Sequence, residues 1–236
     1  MIPFGTPSRH LAECASTNDE ARDWALDSHD PAPSGALVTA EFQRRGRGQR
    51  GRDWEAAAGQ SALLSFVYRP LPGSEVRELS LVTALAVAEA LERGTSLRAC
   101  IKWPNDILLD GCKTAGILVE AAAGSVILGI GVNVNQEHFA GSAEYAYPPT
   151  SLRLATGQSL DVPTIVAAVA ESLMRWEDKW CAEGFAAIID ACRRRLAQGA
   201  SVRRGTETAE LVGLSADGSA EVRLQNGTFT VWATVD

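Results

Sequence analysis

At 236 residues, 46% hydrophobic and 22% charged, the chain has the balance of a globular protein with one substantial core and room for a small appendage. A formal net charge of −7 argues against a broad surface for the phosphates of nucleic acid. Five cysteines without a C-x-x-C pair, scattered histidines (His10, His29, His138) and no apolar run of membrane-spanning length argue against a disulfide framework, a protein-ligated metal and a membrane protein; free thiols fit a cytoplasmic compartment.

In chain order, "STNDEARDW" opens a helix, with Thr17 as the capping residue and Glu20 three positions on. "SGALVTAEFQ" and "SALLSFVYRP" read as strands on either side of an arginine-glycine stretch. "EVRELSLVTALAVAEALERG" reads as a largely buried helix with Gly94 as its terminator. Four strand-like runs follow, "LRACIKWP", "DILLDG", "KTAGILVEAA" and "SVILGIGVNVN", with Asp110-Gly111 suited to a tight hairpin turn. The stretch from Gln136 to Thr150 loses periodicity and reads as a long loop. Two helices come next, one starting at Asp161 and Pro163, the other after Gly184. From Gly199 on, short alternating runs joined by Asp217-Gly218 and Asn226-Gly227 predict a β-meander. The division expected is therefore 1–198 for the main domain and 199–236 for a small barrel docked on it.

The arginine-glycine stretch contains Gly46, Gly48 and Gly51 in G-x-G-x-x-G spacing among Arg44, Arg45, Arg47, Arg50 and Arg52. A dinucleotide turn needs a helix after the glycines and an acid about twenty residues on; here a strand follows and no acid stands near Arg69. A solvated charged loop is the plain alternative, but three glycines make it costly to order. Glycine with arginine suits a flexible loop that closes over an anion with backbone N–H groups and guanidinium forks. A second constellation, Lys102, Trp103, Asn105, Asp106, Lys113 and Glu120, lies on and between strands otherwise made of core residues. Lys113 precedes Thr114-Ala115-Gly116, small residues that admit a ligand close to the backbone. A third is Asn133 and Asn135, ending the strand "GIGVNVN".

Taken together, "STN" at 16–18, Gln43, "GRGQRGRDW", "KWPND", "KTAGILVE" and "GIGVNVN", in that order along essentially the whole chain, resemble the biotin protein ligases. The resemblance implies an α+β fold: a mixed, mainly antiparallel sheet flanked by helices, of the class II synthetase-like biotin–lipoate ligase type, with a small C-terminal β-barrel. It implies activation of biotin by ATP and Mg²⁺ as biotinyl-5′-AMP, then transfer to a lysine of a biotin carboxyl carrier protein. Metal is implied only as Mg²⁺ arriving with ATP. In that picture Lys113, Arg47 and Arg50 are catalytic. Ser16, Thr17, Asn18, Gln43, Arg47, Gly48, Gln49, Lys113, Gly116 and Ile117 bind biotin. Arg50, Arg52, Trp54, Lys102, Trp103, Asn105, Lys113 and Asn133 bind ATP. Where relatives often have arginine, this loop has Gln49, an uncharged donor to the adenylate. Only fifteen residues precede "STN", so no DNA-binding domain is expected; a homodimer is left open. Two other readings stand beside this one. Lipoate ligases and octanoyl transferases share the fold but lack the arginine-glycine loop followed by Trp54. A non-catalytic biotin or nucleotide sensor would tolerate loss of Lys113.

Overall fold

In the computed structural model, which describes residues 4–70, 76–139 and 147–233, seven strands form one sheet: β1 (Ser8–Cys14), β2 (Leu37–Gln43), β3 (Ser61–Tyr68), β4 (Ala99–Lys102), β5 (Asp106–Leu109), β6 (Cys112–Ala122) and β7 (Ser125–Asn133). Their spatial order is β1-β2-β3-β7-β6-β5-β4. Only the β1–β2 pair is parallel; every other neighbour is antiparallel. The short steps from β4 to β7 favour this, since antiparallel strands join by tight turns. Asp110 (φ 47°) and Gly111 (φ 76°) both take the left-handed region between β5 and β6, as a type I′ turn requires.

Helix α1 (Thr17–Ala25) covers one face of the sheet, where Ala21, Trp24 and Ala25 bury against Val38, Val67 and Ile127. Its cap is Ser16 rather than the expected Thr17: the Ser16 hydroxyl accepts from the Asn18 N–H at 3.3 Å. Thr17 is engaged elsewhere, its N–H and hydroxyl both donating to Gln43 Oε1. Helix α2 (Val76–Thr95) lies on the opposite face within the larger core, backed by α4 (Val162–Glu183) and α5 (Phe185–Arg195). Gly94 does not end α2. The helix runs through it to Thr95, whose hydroxyl donates to Leu91 O, and Ser96 takes the left-handed conformation beyond (φ 58°).

Two elements had no signal in the sequence. Strand β1 is a mostly exposed edge strand of little alternation, and α3 (Leu152–Thr156) is too short to show a period, although Ser151 caps it and Gly157 closes it at φ 74°. Of the long loop expected over 136–150, residues 140–146 lie outside the described residues.

The C-terminal strands β8 (Ser201–Arg204), β9 (Glu207–Leu214), β10 (Ala220–Leu224) and β11 (Phe229–Trp232) form the expected meander, but not the expected barrel. They make an open four-stranded antiparallel sheet in the order β11-β10-β9-β8, and its outer strands do not pair with each other. So few short strands need not close on themselves because the main domain covers their inner face. Leu211, Leu214, Val222 and Trp232 join the large core, Arg193 of α5 donates to Leu214 O, and the Trp103 indole donates to Gly218 O at 2.9 Å. Trp103 thus fastens one sheet to the other. Truncating so large a buried side chain typically costs about 3–5 kcal/mol. Trp103→Ala is therefore expected to lower the urea unfolding midpoint sharply; a midpoint equal to that of the parent chain would refute the fastening role.

Candidate functional site

The period-two alternation of β7 determines which face is core and which is site. Val126, Leu128, Ile130 and Val132 pack into the α2 core. The intervening positions on the α1 face are Ile127, Gly129, Gly131 and Asn133. The glycines leave a trough. A Cβ on Gly129 would overlap the Asn18 amide, and one on Gly131 would overlap the Trp54 indole; Gly116, paired with Gly131 across β6, would bring its Cβ to 2.9 Å from the same ring. Asn18 and Trp54 therefore lie where side chains of the sheet would otherwise be. The Trp54 Nε1–H is buried without a hydrogen-bond partner among the described residues, an orphaned donor on the cleft wall.

Lys113 reaches this face through a β-bulge. On β6, Ala115 and Ile117 bury in the α2 core, and strict alternation would send Lys113 the same way. Between Ile107 and Leu108 of β5 the register shifts, Ile107 facing Ala115 and Leu108 facing Lys113. Thr114 is thus the extra residue, and it turns Lys113 over to the cleft, as bulges beside sites commonly do. Lys113 Nζ sits 2.7 Å from Asp106 Oδ1 and 5.7 Å from the centre of the Trp54 ring. Lys102 Nζ lies 3.3 Å from Asp106 Oδ2 and 5.2 Å from the Tyr147 ring. One largely buried carboxylate thus holds two ammonium groups at one end of the cleft. The Tyr147 hydroxyl accepts from the Ser201 N–H at 2.6 Å, and Lys113 exchanges backbone hydrogen bonds with Pro148 and Thr150. The wall around the lysines is thereby strapped to β8.

The other end is polar, and its charged groups are paired with one another. Gln43 Oε1 accepts from Thr17 N at 2.7 Å and from Thr17 Oγ1 at 3.0 Å. The buried Ser65 hydroxyl lies 2.8 Å from Thr17 Oγ1 and 2.6 Å from Asn18 Oδ1, and Asn18 Nδ2 donates to Glu120 Oε2 at 2.6 Å. These mutual bonds fix the direction in which each group presents its remaining polar atoms, which matters where a buried polar ligand must be satisfied. Over this end folds the glycine loop, closed by an Arg47–Asp53 bridge, by Trp54 N donating to Gly46 O and by a 3-10 turn over Gln49–Gly51, with Arg50 at φ 60°. Arg47 makes a bidentate pair with Asp19 at 2.7 and 2.8 Å and lies 3.4 Å from Glu120. The guanidinium holds the Asp19 carboxyl below the usual range.

One cleft brings together Ser16, Thr17, Asn18, Gln43, Arg47, Gly48, Gln49, Arg50, Arg52, Trp54, Lys102, Asn105, Lys113, Gly116, Ile117 and Asn133. Trp103 is the exception. It is 1% exposed, in the α2 core, with its indole turned to Gly218; odd and even positions of β4 and its extension face opposite ways, and Lys102 takes the cleft side. Asn105 and Asn133 use their amides on backbone, Asn105 Nδ2 on Ile117 O and Asn133 Nδ2 on Thr150 O, so they shape the wall. The sequence reading assigned no role to Asp19, Asp106, Glu120 or Tyr147. Asp106 and Glu120 stood among the marked residues, but only the fold shows which cations they meet.

Residues 12–137 match the model of the Biotin/lipoate A/B protein ligase family. A biotin–[acetyl-CoA-carboxylase] ligase of Paracoccus denitrificans is 40% identical over 215 residues, 86% of this chain and 87% of that protein. The bifunctional ligase/repressor of Bacillus subtilis is 35% identical over 180 residues, 74% of this chain but 54% of its own length. The biotin protein ligase of Aquifex aeolicus, solved with biotin and ATP, superposes with a TM-score of 0.85 at 27% identity, covering 98% of both chains. The chain belongs to the biotin/lipoate protein ligase family.

The trough yields a direct test. Gly131→Ala is expected to displace the Trp54 ring, seen as a change in tryptophan emission that a Trp54→Phe background abolishes, with far-UV circular dichroism preserved. Unchanged emission would sink the proposed packing of Trp54 on Gly131.

Proposed function

We propose that this chain is a biotin protein ligase, activating biotin as biotinyl-5′-AMP and passing it to a lysine of a biotin carboxyl carrier domain. The observation that carries the reading is a single cleft with two chemically different ends: a polar, uncharged one at Thr17, Asn18 and Gln43, and a cationic one at Lys102 and Lys113, with Trp54 between. A neutral ureido ring fits the first. A carboxylate meeting a triphosphate needs the second. The Aquifex relative binds both biotin and ATP, and the Paracoccus relative acts on acetyl-CoA carboxylase, which supports the same substrates here.

In the first step a biotin carboxylate oxygen attacks the α-phosphorus, an O–P bond forms and pyrophosphate leaves. Both partners are anions, so the barrier falls where fixed cations meet the developing charge. Lys113, held toward the trough by the bulge and by Asp106, is the cation we assign to that work, with Arg50 and Arg52 of the loop lining the same cleft. Mg²⁺ fits as a companion of the triphosphate, because the carboxylate nearest the cationic end, Asp106, already pairs with two lysines; when bound it neutralises phosphate charge. In the second step the acceptor amine attacks the acyl carbon and AMP leaves with the bridging oxygen. No protein nucleophile is required. The boundary near residue 199 separates the catalytic unit from a sheet that braces it.

Incubation with ATP, Mg²⁺ and either biotin or lipoate, followed by mass spectrometry of the acyl-adenylate, decides the substrate: biotinyl-5′-AMP is expected, and lipoyl-AMP alone would overturn the reading. Lys113→Ala is expected to slow adenylation by about 10²–10³-fold, the usual loss for one preorganised donor; a folded variant with near-normal rate would favour a sensor. Gln49→Arg adds a charge-assisted contact to the adenylate, such bonds being about twice as strong as neutral ones. Slower release of preformed adenylate is expected, and an equal rate in chase experiments would show that the existing cations already hold it.

A further inference from the structure

We propose that Asp19 and Glu120 are positioning residues that make Arg47 a strut between the glycine loop and helix α1, so that Arg47 closes the biotin end of the cleft without acting on the reacting carboxylate. The inference rests on the biotin-ligase reading above and reassigns one residue within it.

The stoichiometry of the cluster carries the argument. Arg47 spends both terminal nitrogens on Asp19, Nη1 on Oδ2 at 2.7 Å and Nη2 on Oδ1 at 2.8 Å. Glu120 Oε2 lies 3.4 Å from the same Nη2. Arg22, one turn along α1, bonds Asp19 at 2.9 Å and Glu120 at 3.2 Å. Two carboxylates and two guanidiniums thus balance each other, and Arg47 has no charge left unmatched for a substrate anion. The pair is bidentate and about two thirds shielded on each side, unlike the loosely held exposed pairs that contribute little. A bidentate fork also fixes direction as well as distance.

The loop needs such an anchor. Its internal backbone bonds close the loop on itself, but with glycine at 46, 48 and 51 it is costly to hold in one position against the rest of the protein. The Arg47–Asp19 fork is its link to α1, the helix whose first turn carries Thr17 and Asn18. Glu120 extends the link, since the oxygen that faces Arg47 also accepts from Asn18 Nδ2 at 2.6 Å. Loop closure and the orientation of Asn18 therefore share one carboxylate.

The test compares wild type with Asp19→Ala, Asp19→Asn, Asp19→Glu, Arg47→Ala and the double variant Asp19→Ala/Arg47→Ala, in single-turnover adenylation and in adenylate-release chases. Wild type must form biotinyl-5′-AMP; if it does not, the proposed function fails and the strut is not at issue. Given that activity, Asp19→Ala and Arg47→Ala are each expected to raise the KM for biotin and the adenylate release rate by about tenfold or more, the scale of one charge-assisted contact, with the adenylation kcat nearly unchanged. The double variant should be no worse than either single one, because both remove the same fork. Asp19→Glu should restore part of the loss, and the isosteric Asp19→Asn reports the same effect should the alanine variant not fold. Multiplicative effects, an unchanged release rate without Asp19, or an Arg47→Ala collapse confined to kcat would each overturn the proposal.

Discussion

Three missing side chains organise this molecule. Gly116, Gly129 and Gly131 sit side by side on the two central strands, and the space where their Cβ atoms would be is taken by Asn18 and Trp54. Without that trough the start of α1 and the residue after the glycine loop would have to stand off the sheet, and the cleft between them would have no floor. The rest follows from the geometry: α1 settles over β2, β3 and β7, the loop closes beside it, and the lysines arrive from β6 and from the edge strand β4.

Charge is distributed as deliberately as volume. The chain is acidic overall, yet arginines and lysines converge on one cleft, and three acids beside them, Asp19, Asp106 and Glu120, pair with Arg47, Lys102 and Lys113 and with Arg22 of α1. Asp106 holds Lys102 and Lys113 in fixed directions, and Asp19 and Glu120 hold Arg47 and Arg22. Two lysines pinned by one carboxylate keep a net positive charge and do not need to reorganise when an anionic ligand arrives, which is the condition under which electrostatic stabilisation works best. A local crowd of positive side chains thus coexists with a negative protein, four of them held by carboxylates.

Much of this was legible in the sequence because strong local signals agree with the fold. The alternation in "SVILGIGVN", the D-G turn and the apolar α2 stretch give the right elements, and the ordered motifs identify the family. What escaped depends on non-local facts. Thr17 had the spacing of a cap, but its hydrogen-bonding groups are drawn to Gln43, twenty-six residues away. Trp103 belonged to the right motif, yet the parity of its strand turns it into the core. The bulge at Thr114 is invisible in "CKTAGI", since it is a property of the pairing with β5 and not of β6 alone. A barrel was expected because so short a meander cannot bury a core of its own, but whether a sheet closes depends on what else covers its face.

The glycine trough also bears on how such a site changes over generations. Every amino-acid replacement reachable from a glycine codon adds at least a Cβ, so at Gly129 and Gly131 no conservative first step exists: the smallest substitution already overlaps Asn18 or Trp54. Drift at the floor is blocked unless its occupant changes at the same time. Variation in ligand preference among descendants of this chain has an easier path through the rim, in the loop around Gln49, where the neighbouring arginines Arg50 and Arg52 are exposed.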